Sequence, residues 1–149
     1  MRYYGYEEFT KDMHTLVKSF GRYRPDALLA IARGGLSAGH FIAQIMDIRH
    51  LYSINSIHYD KDIKLDTLDI FNIPDMSKFK RVLIIDDIID SGDTMVETLR
   101  VLNKTYLYTE FKTSVIFYKS SAKIEPDFYI KKTDEWIDFF WEVDSITKE

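Results

Sequence analysis

The segment from Arg81 to Thr94, RVLIIDDIIDSGDT, constrains the fold more than any other part of this 149-residue chain. Val82, Leu83, Ile84 and Ile85 are apolar without alternation, the pattern of a strand covered on both faces in a parallel α/β sheet. Three carboxylates, Asp86, Asp87 and Asp90, follow at once. A buried strand end tolerates such charges only where something polar or cationic meets them, and the carboxyl ends of parallel strands are where such sheets bind ligands. Ser91, Gly92, Asp93 and Thr94 then offer hydroxyls, a flexible glycine and backbone N–H groups ahead of a helical pattern at Met95, Val96, Leu99 and Leu102. The free N–H groups of a helix N-terminus form an anion site; a mere helix cap at Asp93 or Thr94 would account for Thr94 but leave Asp86 and Asp87 unexplained. The segment therefore joins a carboxylate zone, suited to sugar hydroxyls or Mg2+, to a cradle of phosphate size.

The flanking sequence places this segment in a repeating order of elements. Phe9, Met13, Leu16, Val17 and Phe20 recur at helical spacing and Gly21 follows as a stop, which predicts an opening amphipathic helix. Ala27 to Ala32, ALLAIA, reads as a strand entered through Pro25 and Asp26 and broken by Arg33-Gly34-Gly35. A helix carrying Leu36, Phe41, Ile42 and Ile45 comes next, then a strand over Ile54 to Tyr59. Residues 60 to 80 are charged and patternless except near Phe71, Ile73 and Pro74, which predicts a long mobile connection. A last core strand covers Thr113 to Tyr118. This alternation predicts an α/β fold, a parallel twisted sheet flanked by helices. At Arg33-Gly34-Gly35 a pair of glycines lets backbone approach a ligand closely, and an arginine offers paired donors for phosphate.

On these residues the chain resembles the type I phosphoribosyltransferases, whose phosphoribosyl pyrophosphate (PRPP) motif is four apolar residues followed by D-D-x-x-D-[ST]-G-x-T. The resemblance implies that Asp86 and Asp87 hold the ribose hydroxyls, with Asp87 the residue for Mg2+. It implies that Asp90, Ser91, Gly92, Asp93 and Thr94 receive the 5-phosphate, and that Arg33 and Gly34 receive pyrophosphate. A flexible loop beginning His58-Tyr59-Asp60-Lys61-Asp62-Ile63-Lys64 would cover the reacting centre, with Lys64 or Lys61 gripping pyrophosphate. In the last third, Lys119 and the stretch FYIKKTDEWIDFFWE (Phe128 to Glu142) narrow the resemblance to the small purine enzymes of xanthine-guanine type. There a lysine approaches the purine O6 and a Trp-Ile pair packs on the base; Lys119, Trp136 and Ile137 match those positions. An aromatic ring suits a flat base and a cation suits an exocyclic oxygen, which favours 6-oxopurines over adenine. Phe140 stands before Trp141-Glu142 where relatives commonly have proline.

The implied activity is transfer of the 5-phosphoribosyl group from PRPP to N9 of guanine, xanthine or hypoxanthine, with Asp90 as the catalytic residue that manages the N7 proton. The alternatives are a regulator of the same fold that senses PRPP or nucleotides, and a phosphoribosyltransferase for another base. The division expected is one domain over 1–149, with a core over about 1–118 and a small C-terminal hood over about 119–142. A net charge of -4 and a pI near 5.6 argue against a general nucleic-acid or membrane-surface binder. With no cysteine, disulfides, thiolate metal sites and cysteine nucleophiles are excluded. The N-terminal stretch has acidic and polar residues where an apolar signal core would stand. A cytoplasmic homo-oligomer using PRPP, a purine base and Mg2+, with neither nucleic acid nor membrane as partner, is the resulting expectation.

Overall fold

The computed structural model describes residues 1–59 and 67–146. Nine strands and three helices follow one another in those residues: β1 (Arg2–Tyr4), α1 (Tyr6–Ser19), β2 (Ala27–Ala32), α2 (Leu36–Met46), β3 (Leu51–Tyr59), β4 (Thr67–Phe71), β5 (Arg81–Ile85), β6 (Ile88–Ile89), α3 (Asp93–Thr105), β7 (Glu110–Lys119), β8 (Phe128–Thr133) and β9 (Ile137–Phe139). The main sheet has the order β4-β3-β2-β5-β7-β6, with β8 also on β7. All its pairs are parallel except β3 with β4.

Both faces of the central strands are covered, which explains the apolar runs. On β5, Leu83 and Ile85 point into one core with α1 and α2, where Phe9, Met13, Leu16 and Ile42 pack. Val82 and Ile84 point into the other, with Met95 and Leu102 of α3. Alternate residues of one strand thus serve opposite cores, as the two-residue side-chain period requires.

Two features depart from the sequence reading. The span 60 to 80 is not one long connection: Thr67 to Phe71 forms β4, antiparallel to β3 with Tyr59 opposite Thr67 and Asn55 opposite Phe71, while Met76 and Phe79 are buried. TLDIF is an edge strand with exposed alternate positions, so it has little apolar signal. The hood is also assembled differently. β8 joins the main sheet through β7, and β9 pairs in parallel with β1 at the opposite end of the chain. Lys61 and Lys64 lie outside the described residues.

Tyr4 ties these parts together. It is fully buried, its hydroxyl donates to Asp12 Oδ2 at 2.7 Å, and its ring meets Phe9, Phe117, Phe139 and Trp141 edge-on at 5.1–6.3 Å between centroids. Burial and the Asp12 carboxylate hold its phenol well above its ordinary range of ionisation. Tyr4→Ala is expected to lower stability by about 3–5 kcal/mol, and Tyr4→Phe by about 1 kcal/mol through loss of one hydrogen bond. Urea unfolding of the two variants measures both, and equal losses would show that the hydroxyl, not the ring, matters.

Candidate active site

The acids after β5 interrupt the ladder to β7. The Asp86 N–H still donates to the Ser114 carbonyl at 3.1 Å, but the Asp87 carbonyl accepts from both Ile116 and Phe117 N–H, at 3.0 and 3.2 Å. Pairing resumes at Ile88 and Ile89. This break turns the carboxylates away from the strand path while keeping their backbone bonded. Their side chains are held locally: Asp86 Oδ1 accepts from the Asp87 N–H at 2.8 Å, and Asp87 Oδ1 from the Ile88 N–H at 2.7 Å. Desolvation raises the pKa of both, and the charge of Asp87 adds to the rise at Asp86.

β2 lies beside β5 with Ala30 opposite Ile85, so the Arg33-Gly34-Gly35 turn emerges next to the acids. A Cβ on Gly34 would stand 2.4 Å from Asp87 Oδ2, and one on Gly35 would stand 2.3 Å from the Ile85 carbonyl. Neither position has space for a side chain. The Ala32–Arg33 peptide is cis. The turn closes through the Gly35 N–H to the Ile31 carbonyl at 2.8 Å and the Leu36 N–H to the Arg33 carbonyl at 3.1 Å.

Asp86 and Asp87 stand on the walls of two separate hollows. The smaller, about 100 Å³, is lined by Asp86, Asp90, Ser91, Gly92 and Thr94, with Ile88, Ile89 and Met95 beneath. Gly92, the cap of α3, has φ +94, a conformation that favours glycine; Asp93 and Thr94 therefore belong to the helix rather than capping it with side chains. The first intrahelical bond runs from the Val96 N–H to the Gly92 carbonyl, so the preceding N–H groups precede the ladder. The Asp93 N–H meets Ser91 Oγ at 3.2 Å. The larger hollow, about 740 Å³ and open, has Arg33, Gly34, Ser37 and Asp87 on one side and Asp138, Trp141 and Glu142 on the other.

Lys119 closes β7. Its Nζ lies 3.4 Å from Asp90 Oδ1 and 6.0 Å from the centre of the Trp136 ring, so the structure brings together three residues from distant parts of the chain. Trp136 is 63% exposed, a free aromatic face beside a lysine. Ile137 differs: its side chain is 4% exposed and packs in the core with Phe139, which leaves only its backbone to serve a ligand. The Trp136 carbonyl already accepts from the Arg2 N–H at 2.9 Å. The sequence reading missed Arg2, whose guanidinium covers Phe117 at 5.2 Å and pairs with Glu8. It also gave no site role to Ser37, Asp138 or Trp141; only the position of Asp138, two residues from Trp136 in a strand-like stretch, offered a signal. Lys123 was likewise unmarked, yet its Nζ reaches Asp93 Oδ1 at 2.5 Å.

Known proteins share this fold. The family description "Phosphoribosyl transferase domain" matches residues 8–146. A xanthine-guanine phosphoribosyltransferase of Ruegeria sp. (strain TM1040) is 27% identical over 93% of this chain and 83% of its own length. Among solved structures, the xanthine-guanine-hypoxanthine phosphoribosyltransferase of Helicobacter pylori superposes with a TM-score of 0.89 at 39% identity, covering 95% of this chain and 94% of that one. A purine phosphoribosyltransferase of Pyrococcus horikoshii OT3 superposes with a TM-score of 0.82 at 26% identity, covering 99% and 97%. A family match over nearly the whole chain, joined to these superpositions, means that this chain belongs to the phosphoribosyltransferase family.

Proposed function

We propose that this protein is a purine salvage enzyme that transfers the 5-phosphoribosyl group of PRPP to N9 of a 6-oxopurine and releases pyrophosphate. The observation that carries the reading is the meeting of Lys119, Asp90 and Trp136 beside the phosphate-sized hollow. A purine stacked on Trp136 would place its O6 toward the Lys119 ammonium and its N7 toward Asp90, where a carboxylate can manage the N7 proton. The backbone at Ile137 would face the far edge of the base. Asp86 and Asp87 would accept from the ribose hydroxyls, the Ser91 and Thr94 hydroxyls with the backbone N–H groups from Ser91 to Thr94 would receive the 5-phosphate, and Arg33 with the Gly34 backbone would receive pyrophosphate. Lys64 keeps its expected pyrophosphate role as part of this proposal.

Mg2+ fits the donor set in one respect. Asp87 is a desolvated carboxylate facing the open groove, a setting that a cation relieves. Among the described residues no three acids or histidines gather into a metal cluster, which suits a metal that arrives largely held by substrate phosphates and water. When bound with PRPP, the metal would neutralise charge on the departing pyrophosphate. No helix among the described residues is long and apolar enough to cross a membrane. A cytoplasmic location and a homo-oligomeric state complete the proposal; exposed Tyr3 and Tyr6 are compatible with contact between copies.

Incubation with PRPP, Mg2+ and each base in turn, with pyrophosphate release as the readout, tests this reading. Turnover is expected with guanine, xanthine or hypoxanthine and not with adenine; no turnover with any 6-oxopurine would favour a sensor of the same fold. Asp90→Asn is expected to lower kcat by about 100-fold or more while PRPP binding persists. Lys119→Ala is expected to lower kcat/KM for the purine by about 10- to 100-fold, as loss of a charge-assisted hydrogen bond would; an equal rise in the KM for PRPP would place Lys119 elsewhere.

The half-buried acids also make a stability prediction. Asp86 ionises at a higher pH in the folded state than unfolded, so the stability it contributes is complete below about pH 4 and is lost as pH rises through its folded value. Asp86→Asn removes the charge and keeps an oxygen for the Asp87 N–H. It is expected to raise Tm of the ligand-free protein by about 2–4 °C at neutral pH, with the gain fading towards pH 4. A calorimetric scan showing no gain at neutral pH would refute the cost assigned to this carboxylate.

A further inference from the structure

Asp93 sets a problem for the phosphate cradle. Its backbone belongs to the first turn of α3, where N–H groups and the helix dipole attract an anion, yet its carboxylate brings a negative charge to the same turn. The structure pairs that charge. Lys123 Nζ stands 2.5 Å from Asp93 Oδ1, and this pairing is the main influence holding the Asp93 carboxyl below its usual range, with the Ser91 hydroxyl and then His58 adding weaker ones.

The backbone of Lys123 is held to the same loop. Its N–H donates to the Ser91 carbonyl at 2.9 Å. A Cβ on Gly92 would stand 3.1 Å from the Lys123 nitrogen, so the chain after β7 lies directly against the glycine that turns into α3. The segment from Lys119 to Lys123 therefore reaches the acid motif twice, Lys119 at Asp90 and Lys123 at Asp93.

Folding stability does not account for this pair. The side chains are 65% and 36% exposed, and such surface pairs contribute little to stability. A unit charge a few ångströms from a bound phosphate matters more to the ligand. Resting on the phosphoribosyltransferase reading of the site, we propose that Lys123 is a positioning residue for the 5-phosphate, one that neutralises Asp93 and keeps the Ser91–Thr94 loop receptive to a phosphate monoester. It acts through Asp93 and is not itself a phosphate ligand.

Calorimetric titration with PRPP and Mg2+, without purine, separates these roles. Lys123→Ala is expected to weaken PRPP binding by about tenfold at low salt, with the deficit shrinking as ionic strength rises from about 0.05 to about 0.5 M. Lys123→Arg should bind as the parent does. The double variant Lys123→Ala with Asp93→Asn should return to within about twofold of the parent, since the charge needing compensation is gone. Asp93→Asn alone removes the carboxylate, keeps the backbone N–H of the cradle and should bind PRPP more tightly than the parent at low salt, which tests the idea even if Lys123→Ala fails to fold. Parent-like binding by Lys123→Ala, a double variant as weak as Lys123→Ala, or binding by Asp93→Asn no tighter than the parent's would each overturn the proposal; the second outcome would make Lys123 a direct phosphate ligand. Inorganic phosphate serves as a second probe. The same order of variants with phosphate, in a protein that does not bind PRPP, would keep this inference and refute the proposed donor, whereas binding of neither would overturn both.

Discussion

The approach of the Gly34 backbone to the Asp87 carboxylate is the constraint on which the site depends. Adjacent, in-register β2 and β5 deliver their two following turns to one place, and the contact leaves no space for a Cβ at either glycine of the turn. Residues separated by more than fifty positions thereby meet in the lining of one groove. Asp87 and its neighbour Asp86 are both half-buried beside this contact. Their raised pKa values reflect a desolvation cost that a hydroxyl-rich, metal-carrying substrate would relieve.

A second dependence runs through the chain ends. β1 supplies the edge on which β9 forms, and the Arg2 N–H fixes the Trp136 carbonyl. Tyr4 then anchors this small sheet to α1 and β7 through ring contacts. The aromatic face beside Lys119 is consequently positioned by the first residues of the chain. Burial of Ile137 follows from the same pairing, because in a strand alternating side chains must face opposite sides; with Phe139 committed to the core, Ile137 is committed too.

Much of this was legible in the residues. The run Val82 to Ile85 announced a strand covered twice, and the acids and small residues after it announced a ligand site, because few other arrangements of those residues satisfy both burial and charge. Arg33-Gly34-Gly35 carried its meaning through the absence of side chains. β4 was less visible, since an edge strand with one wet face has a weak apolar pattern. β1 was invisible for a related reason: three residues show no periodicity, and their strand state comes from pairing with β9. The Lys123–Asp93 pair spans thirty positions and has no spacing rule to reveal it.

The amino-acid order by itself determined the local elements, their order and the chemical kinds of group at the strand ends, because hydrophobic period, glycine placement and consecutive acids act over a few neighbouring residues. Only the tertiary structure decided which of those groups share a site. Sheet order put the double-glycine turn against Asp87 and Lys119 beside Asp90, and the pairing of the two termini set Trp136 in the open and Ile137 in the core. Such pairings arise from long-range burial and backbone hydrogen bonding, which select among many possible contacts for the same local elements.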